Sequence, residues 1–396
     1  MKKIYLDSAA TSLVQPEVLA ACDEFINLNR DDTLSASDIT LALRESLKGA
    51  RKAVANLIHC DEGEVVLVQS TSHALGMLSV ILPLEKGDNI LMCDLEYQAS
   101  TVSFKRQAYI KGFEIRCVKT SNGKVEREDF ERYIDEHTKV IVLAAVQEIN
   151  GYRADVKEIG KLCKEHKIIY VVDGIQECGA LEVNVKDLGM DIYCSGGKKW
   201  LGNPFGMGFM YLNQNMLNLL DAYAYSYFCI KMPKEYPDYI SYLEDPKRHP
   251  FDEYEIVEDA SRFEIGGYAN YPGAFGLKAA VNLLLNKDVK KIELHIKHLV
   301  KMYIDGLEDL GIKVCSPTDD KHMSAITSFN FGLKNNNIDR ERKLVKYLKD
   351  NNIFVSLRCS TGTGGIRTSF NYYNTEEEVE IALEKIKGFL QNEKIF

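Results

Sequence analysis

The run Ile168-Ile-Tyr-Val-Val-Asp173 ends in an acid, Gly-Ile-Gln176 follows, and one strand later the chain reads Ser195-Gly-Gly-Lys198-Lys199-Trp200. An uninterrupted apolar run of this kind reads as a buried strand of an open α/β sheet, and such sheets collect ligands at the carboxyl ends of their strands. A carboxylate placed there holds a pyridinium nitrogen protonated, and an ε-amine can carry an aldehyde cofactor as an imine. Together they draw off the electrons left when a bond at a substrate α-carbon breaks. The pair points to pyridoxal 5'-phosphate (PLP). Taken singly, both residue types are ordinary, since strand-end aspartates also cap helices and turns and paired lysines also coat surfaces. Gly196, Gly197, Gly202, Gly206 and Gly208 add weight to the combination, because a backbone without Cβ atoms can pass close to a ligand.

These residues need a scaffold, and the sequence between Glu64 and Leu212 supplies one. Apolar runs at Val65–Val68, Asn89–Met92, Val140–Ala145, Ile168–Val172 and Met207–Leu212 alternate with helical spacing over 72–82, 100–110 and 155–166. That rhythm predicts a mainly parallel sheet with helices on its faces. Two amphipathic helices are expected before it, over Pro16–Asn27 and Ala42–Ile58. Residues 214–262 lose all periodicity and mix Tyr, Phe, Pro and acids, which fits either a pocket-lining excursion or a packed aromatic cluster. A long helix from Val289 to Leu310 then leads to a smaller α+β unit, with strands over Ser324–Phe331, Ile353–Leu357 and Gly365–Phe370 and a last helix over Glu376–Leu390.

Bulk properties narrow the function classes. At 396 residues two domains are the natural expectation. A net charge of -9 argues against nucleic acid as a main partner, since phosphate binding needs concentrated Lys and Arg. No apolar stretch is long enough to cross a bilayer, and Met1-Lys-Lys-Ile-Tyr-Leu-Asp7 lacks the apolar run of a signal peptide, so a cytoplasmic protein is expected. The 10 cysteines form no Cys-x-x-Cys pair, and His295 and His298 have no acid or thiol nearby to complete a ligand set, so no metal site is expected.

Several segments in order resemble the class V aminotransferase family, which includes cysteine desulfurases, selenocysteine lyases and isopenicillin-N-epimerase-like enzymes. They are Ile4-Tyr-Leu-Asp-Ser-Ala-Ala-Thr11, Ser70-Thr-Ser-His73, Glu96-Tyr97, Gly151-Tyr-Arg-Ala-Asp155, Asp173-Gly-Ile-Gln176, Lys199-Trp-Leu-Gly-Asn-Pro-Phe-Gly-Met-Gly208, Ile366-Arg-Thr-Ser369 and Tyr373-Asn-Thr-Glu-Glu-Glu378. The resemblance implies the fold-type I PLP architecture, an α/β fold with a mainly parallel seven-stranded sheet in a large domain and a smaller α+β domain. Residues 12–262 would form the PLP-binding domain, 1–11 and 285–396 the small domain, and 263–284 a connecting segment near a homodimer interface.

By the same resemblance Lys199 is the covalent lysine, with Lys198 beside it near the phosphate and the alternative should the register slip by one. Asp173 pairs with the ring nitrogen, Gln176 bonds the phenolic oxygen, and Tyr97 stacks over the ring. Ser70, Thr71 and Ser72 seat the phosphate, at a place where a strand gives way to a helix whose unpaired amides favour an anion. Gly267 would reach the phosphate of the partner subunit. Arg367 clamps the substrate carboxylate, a guanidinium being able to bind both oxygens at once, and Arg358 is the second candidate. Glu148 stands where the family often has Asn. The implied activity is that of a PLP enzyme acting on a small amino acid, as a transaminase or carbon–sulfur lyase. Cysteine desulfurase, selenocysteine lyase and epimerase chemistry share these residues, and a non-catalytic scaffold keeping the fold is the reading from another class. Cys359 is the one clue to desulfuration. It sits directly after Arg358 and without the Gly-His-His-Cys element that one desulfurase group carries, so it reads as an idle thiol.

Overall fold

In the computed structural model, residues 3–28, 30, 31, 33–264, 270–333 and 337–393 are described. Strand β1 (Ile4–Tyr5) precedes helices α1 (Pro16–Leu28) and α2 (Ala36–Ile58). The central region runs β2 (Val65–Val68), α3 (Thr71–Ile81), β3 (Asn89–Cys93), α4 (Gln98–Lys111), β4 (Glu114–Val118), α5 (Arg127–Glu131), β5 (Thr138–Ala144), α6 (Val156–His166), β6 (Ile169–Asp173), β7 (Ile192–Gly196) and β8 (Gly208–Leu212). After it come α7 (Gln214–Leu219), α8 (Tyr239–Glu244), α9 (Tyr271–Lys287) and α10 (Val289–Asp309). The chain ends with β9 (Ile326–Phe329), α11 (Asp339–Asp350), β10 (Ile353–Phe354), β11 (Ser356–Ser360), β12 (Thr363–Ser369) and α12 (Glu376–Glu393).

Seven strands form the large sheet in the order β2-β8-β7-β6-β5-β3-β4. Only β8 runs antiparallel to its neighbours, so the sheet is mainly parallel. Apolar side chains fill both of its faces: Val140 and Val142 belong to one core cluster, Ile141 and Leu143 to the other, as the two-residue period of a strand requires. Edge strand β4 is the exception, its Glu114 and Cys117 lying in solvent. Helix α2 begins at Ala36, six residues before its apolar stripe, because Ser35 and Asp38 form a reciprocal capping box. Segment 263–284, expected as a connection, contains most of α9, a full helix packed on α1 and α2. Its small residues allow that approach: a Cβ on Gly276 would come within 2.8 Å of Cys22 Sγ.

The second unit is a three-stranded antiparallel sheet, β11-β12-β9, beside the parallel pair β1-β10 and helices α10 to α12. Residues 4–12 act as a strap between the two units. The Leu6 amide donates to the Phe354 carbonyl at 2.9 Å, and the Ser369 amide donates to the Leu6 carbonyl at 2.8 Å. A few residues on, the Ser12 amide and the Thr11 hydroxyl both donate to the Lys198 carbonyl, at 3.0 and 3.1 Å. His295 and His298 tie α10 to the start of α12, donating to the Asn374 carbonyl and pairing with Glu376. In the 214–262 excursion the rings of Tyr227, Tyr236, Tyr239 and Tyr242 pack on one another, with the Arg44 guanidinium 4.1 Å from the Tyr239 centroid. Both expectations for this stretch are met: the aromatic cluster forms, and the excursion lines a cavity of its own, about 700 Å³, between Ile230 and Glu255.

Candidate active site

A cavity of about 490 Å³ opens at the carboxyl end of β6. Its wall includes Ser70, Thr71, Ser72, Tyr97, Glu148, Asp173, Lys198, Lys199, Arg358 and Arg367, together with Ala9 and Ala10 of the strap. Residues from both sheets and from the strap therefore meet at one place. Among the described residues, none of the 214–262 excursion lines it.

Asp173 ends β6 with 2% of its surface exposed, and its Oδ1 accepts the Ile175 amide at 3.0 Å. Burial raises its pKa from 3.8 to about 6, against the Ile175 hydrogen bond and the charge of Lys199, with Glu148 adding to the rise. The turn after it is possible only with glycine. A Cβ on Gly174 would stand 1.9 Å from the Tyr193 ring, which packs directly beneath. Lys199 is 8% exposed, and burial lowers its pKa from 10.5 to about 8, against the pull of Asp173 and Glu148. Its Nζ lies 5.9 Å from the Tyr97 ring centroid. Lys198 also lines the cavity but is half-buried, its Nζ sitting 4.5 Å over the Phe205 ring in the same wall. Of the two adjacent lysines, the one before Trp200 is thus the one buried with the acid.

Tyr97 stands at the mouth, 49% exposed, at the head of α4. The preceding Glu96 fixes that turn, both carboxylate oxygens accepting the Ala144 amide at 3.1 Å. On the opposite wall Ser70 caps α3, its Oγ accepting the His73 amide at 3.2 Å. The amides of the first helical turn have no intrahelical acceptors. Thr71 Oγ1 is buried without a hydrogen-bond partner, and a Cβ on neighbouring Gly196 would come within 3.3 Å of it. A helix N-terminus, an orphaned hydroxyl and a glycine-cleared floor fit a phosphate. With Asp173 and Lys199 across the cavity, the residues present fit PLP.

Two expected residues have partners that the sequence did not suggest, and a third lies outside the described residues. Gln176 is buried beside the cavity and does not line it: its Oε1 accepts the Trp200 indole N–H at 3.1 Å and its Nε2 donates to the Ala9 carbonyl at 3.2 Å. Gly267 lies outside the described residues. Arg367 lines the cavity with 1% exposure but is already engaged, its Nη1 donating to Glu148 Oε2 at 3.0 Å and its Nη2 to Asp7 Oδ1 at 3.3 Å. Asp7 is the partner that sequence reasoning missed. An acid closing the apolar run Ile4-Tyr-Leu was the available signal, since a charge in such a place needs an ion partner. Arg358 lies exposed at the rim.

The model of the aminotransferase class-V family matches residues 4–382. Among curated relatives, a probable cysteine desulfurase of Methanothermobacter thermautotrophicus is 27% identical over 97% of this chain and 95% of its own length. One from Pyrococcus abyssi is 29% identical over 98% of this chain and 94% of its own. Among solved structures, the apo cysteine desulfurase from Thermococcus onnurineus superposes with a TM-score of 0.85 at 26% identity, covering 98% of this chain and 95% of that one. The cystine C-S lyase C-DES, in complex with its product cysteine persulfide, gives a TM-score of 0.85 at 19% identity over 98% and 97%, a likeness of fold alone. This chain belongs to the class V aminotransferase family. It is a PLP-dependent enzyme of that family. Among the described residues no helix is long and apolar enough to cross a membrane, and no cluster of His, Cys, Asp and Glu could hold a metal.

Proposed function

We propose that the protein cleaves the carbon–sulfur bond of a small sulfur-bearing amino acid by β-elimination, with PLP held by Lys199 and Asp173. The observation that carries this reading is that Lys199 and Asp173 are buried together in a cavity whose wall contains no cysteine among the described residues. When bound, PLP supplies an electron sink. The Asp173 carboxylate would keep the proton on the ring nitrogen. The Lys199 amine, with its depressed pKa, would take the proton from the substrate α-carbon. Thr71, Ser70 and Ser72 at the head of α3 would bind the phosphate, Tyr97 would cover the ring, and Arg367 would orient the substrate carboxylate. From cysteine, breaking the Cβ–S bond and adding water yields pyruvate, ammonia and sulfide.

The relatives named as desulfurases make persulfide transfer the second reading, and Cys359 is its one candidate thiol. Strand geometry weighs against it. Arg358 reaches the cavity from β11, so Cys359, the next residue, projects from the opposite face. Its thiol is exposed to solvent on that face, and the partial burial it does have raises its pKa. Incubation with cysteine and with cystine separates the two readings: elimination yields pyruvate and ammonia and survives Cys359→Ser. Desulfuration yields alanine and is lost in that variant, an outcome that would replace the proposal. Two further features belong to it. A homodimer is supported by the aromatic rim, where Tyr97 and Phe205 stand exposed beside the cavity. A reducing, cytoplasmic setting is supported by ten cysteines that are all free.

A further inference from the structure

Arg367 is neutralised before any substrate arrives. Its Nη1 donates to the Glu148 carboxylate at 3.0 Å and to the Glu148 carbonyl at 3.1 Å, while its Nη2 donates to Asp7 at 3.3 Å. Two carboxylates on one guanidinium leave a local charge of about -1, and a substrate carboxylate would make a third anion around the same cation. The two resident acids are not held alike. Asp7 is fixed from behind, its Oδ2 accepting the Ser356 hydroxyl at 2.5 Å and its backbone bridging to Ser369. Glu148 faces the cavity, and among the described residues Arg367 is the one hydrogen-bond partner of its carboxylate. Because the Glu148 carbonyl is bonded to Arg367 separately, its side chain can rotate away while the backbone stays anchored.

We propose that Glu148 is a built-in competitor for the substrate carboxylate at Arg367. A carboxylate ligand seats on the guanidinium as the Glu148 side chain swings off, so the site holds α-amino acids weakly and lets a carboxylate product go readily. The inference rests on the proposed amino-acid substrate and concerns how selectively, and how tightly, that substrate is held.

Calorimetric titration of the holoenzyme with propionate, and separately with propylamine, tests it. In Glu148→Gln, which keeps the shape and an acceptor for Arg367 but removes the charge, propionate binding should tighten by about tenfold with no tightening for propylamine. KM for the amino acid should fall in parallel. Glu148→Ala gives a second variant should the glutamine form fold poorly, and adding Arg367→Gln to either should abolish the gain. Propionate affinity unchanged or weakened in a folded variant overturns the proposal. Tighter propionate binding in a holoenzyme that turns over no small sulfur-bearing amino acid would uphold the role of Glu148 and count instead against the proposed substrate.

Discussion

Lys199 in the apoprotein should react with the PLP aldehyde at a pH where an ordinary lysine is inert. Burial brings its pKa from 10.5 down to about 8. At pH 7 an amine with the lower value is neutral in about one molecule in ten, one with the higher value in about one in three thousand, so burial raises the nucleophilic fraction roughly 300-fold. Stopped-flow absorbance on mixing PLP with apoprotein measures this directly. The rate constant should climb about tenfold per pH unit and level off near 8. Asp173→Asn removes the charge that most favours the ammonium form, so its curve should level at lower pH. Lys199→Ala should give no covalent absorbance although Lys198 remains. A rate still climbing at about pH 10, or absorbance that survives Lys199→Ala and vanishes in Lys198→Ala, would refute the reasoning. The same shift has a stability counterpart. Between about 8 and 10.5 the unfolded chain keeps a proton that the native protein has released, so the apoprotein should gain up to about 3 kcal/mol as pH rises through that window.

Two other substitutions test the scaffold around the site. Thr71→Val deletes a buried hydroxyl that has no partner in the apoprotein, so thermal stability should hold or rise by about 1 kcal/mol while PLP affinity, read by equilibrium dialysis, falls roughly tenfold or more. Arg51→Ala strands Glu264, whose carboxylate takes Arg51 at 2.9 Å and the Leu67 amide at 2.9 Å; urea unfolding should show a loss of about 3 kcal/mol, and Glu264→Gln in the same background should recover part of it.

Strands whose both faces are buried were legible because their composition is unambiguous: Val65–Val68 begins and ends where its apolar run does. Edge strand β4 was not, since Glu114-Ile-Arg-Cys-Val118 keeps polar and half-buried residues where solvent replaces a neighbour. Helix α9 escaped notice for a packing reason. Its buried face carries Leu277, Val281 and Leu284 among small residues, but Phe275, Leu283 and Leu285 lie off that face and blur the apolar period. At the site, the offset from Trp200 singles out Lys199, and the burial of that lysine beside Asp173 agrees with it. The Asp7–Arg367–Glu148 cluster was beyond reach of local pattern, because its members come from distant parts of the chain and meet only through tertiary packing. Gln176 shows the same limit: its motif position was plain, its hold on the Trp200 indole was not.

The strap of residues 4–12 also bears on biogenesis. Its partners Phe354, Ser369 and Tyr373 are translated more than three hundred residues after it, whereas its contacts to Gln176 and Lys198 become available once the large sheet has emerged. Asp7 cannot pair with Arg367, nor the Ala9 amide reach the Ser369 hydroxyl, until that distal stretch has emerged. A nascent chain stalled after the large sheet would own Thr71, Asp173 and Lys199 yet lack Arg367 and the contacts that seat Asp7, so the Arg367 side of the cavity would be completed last.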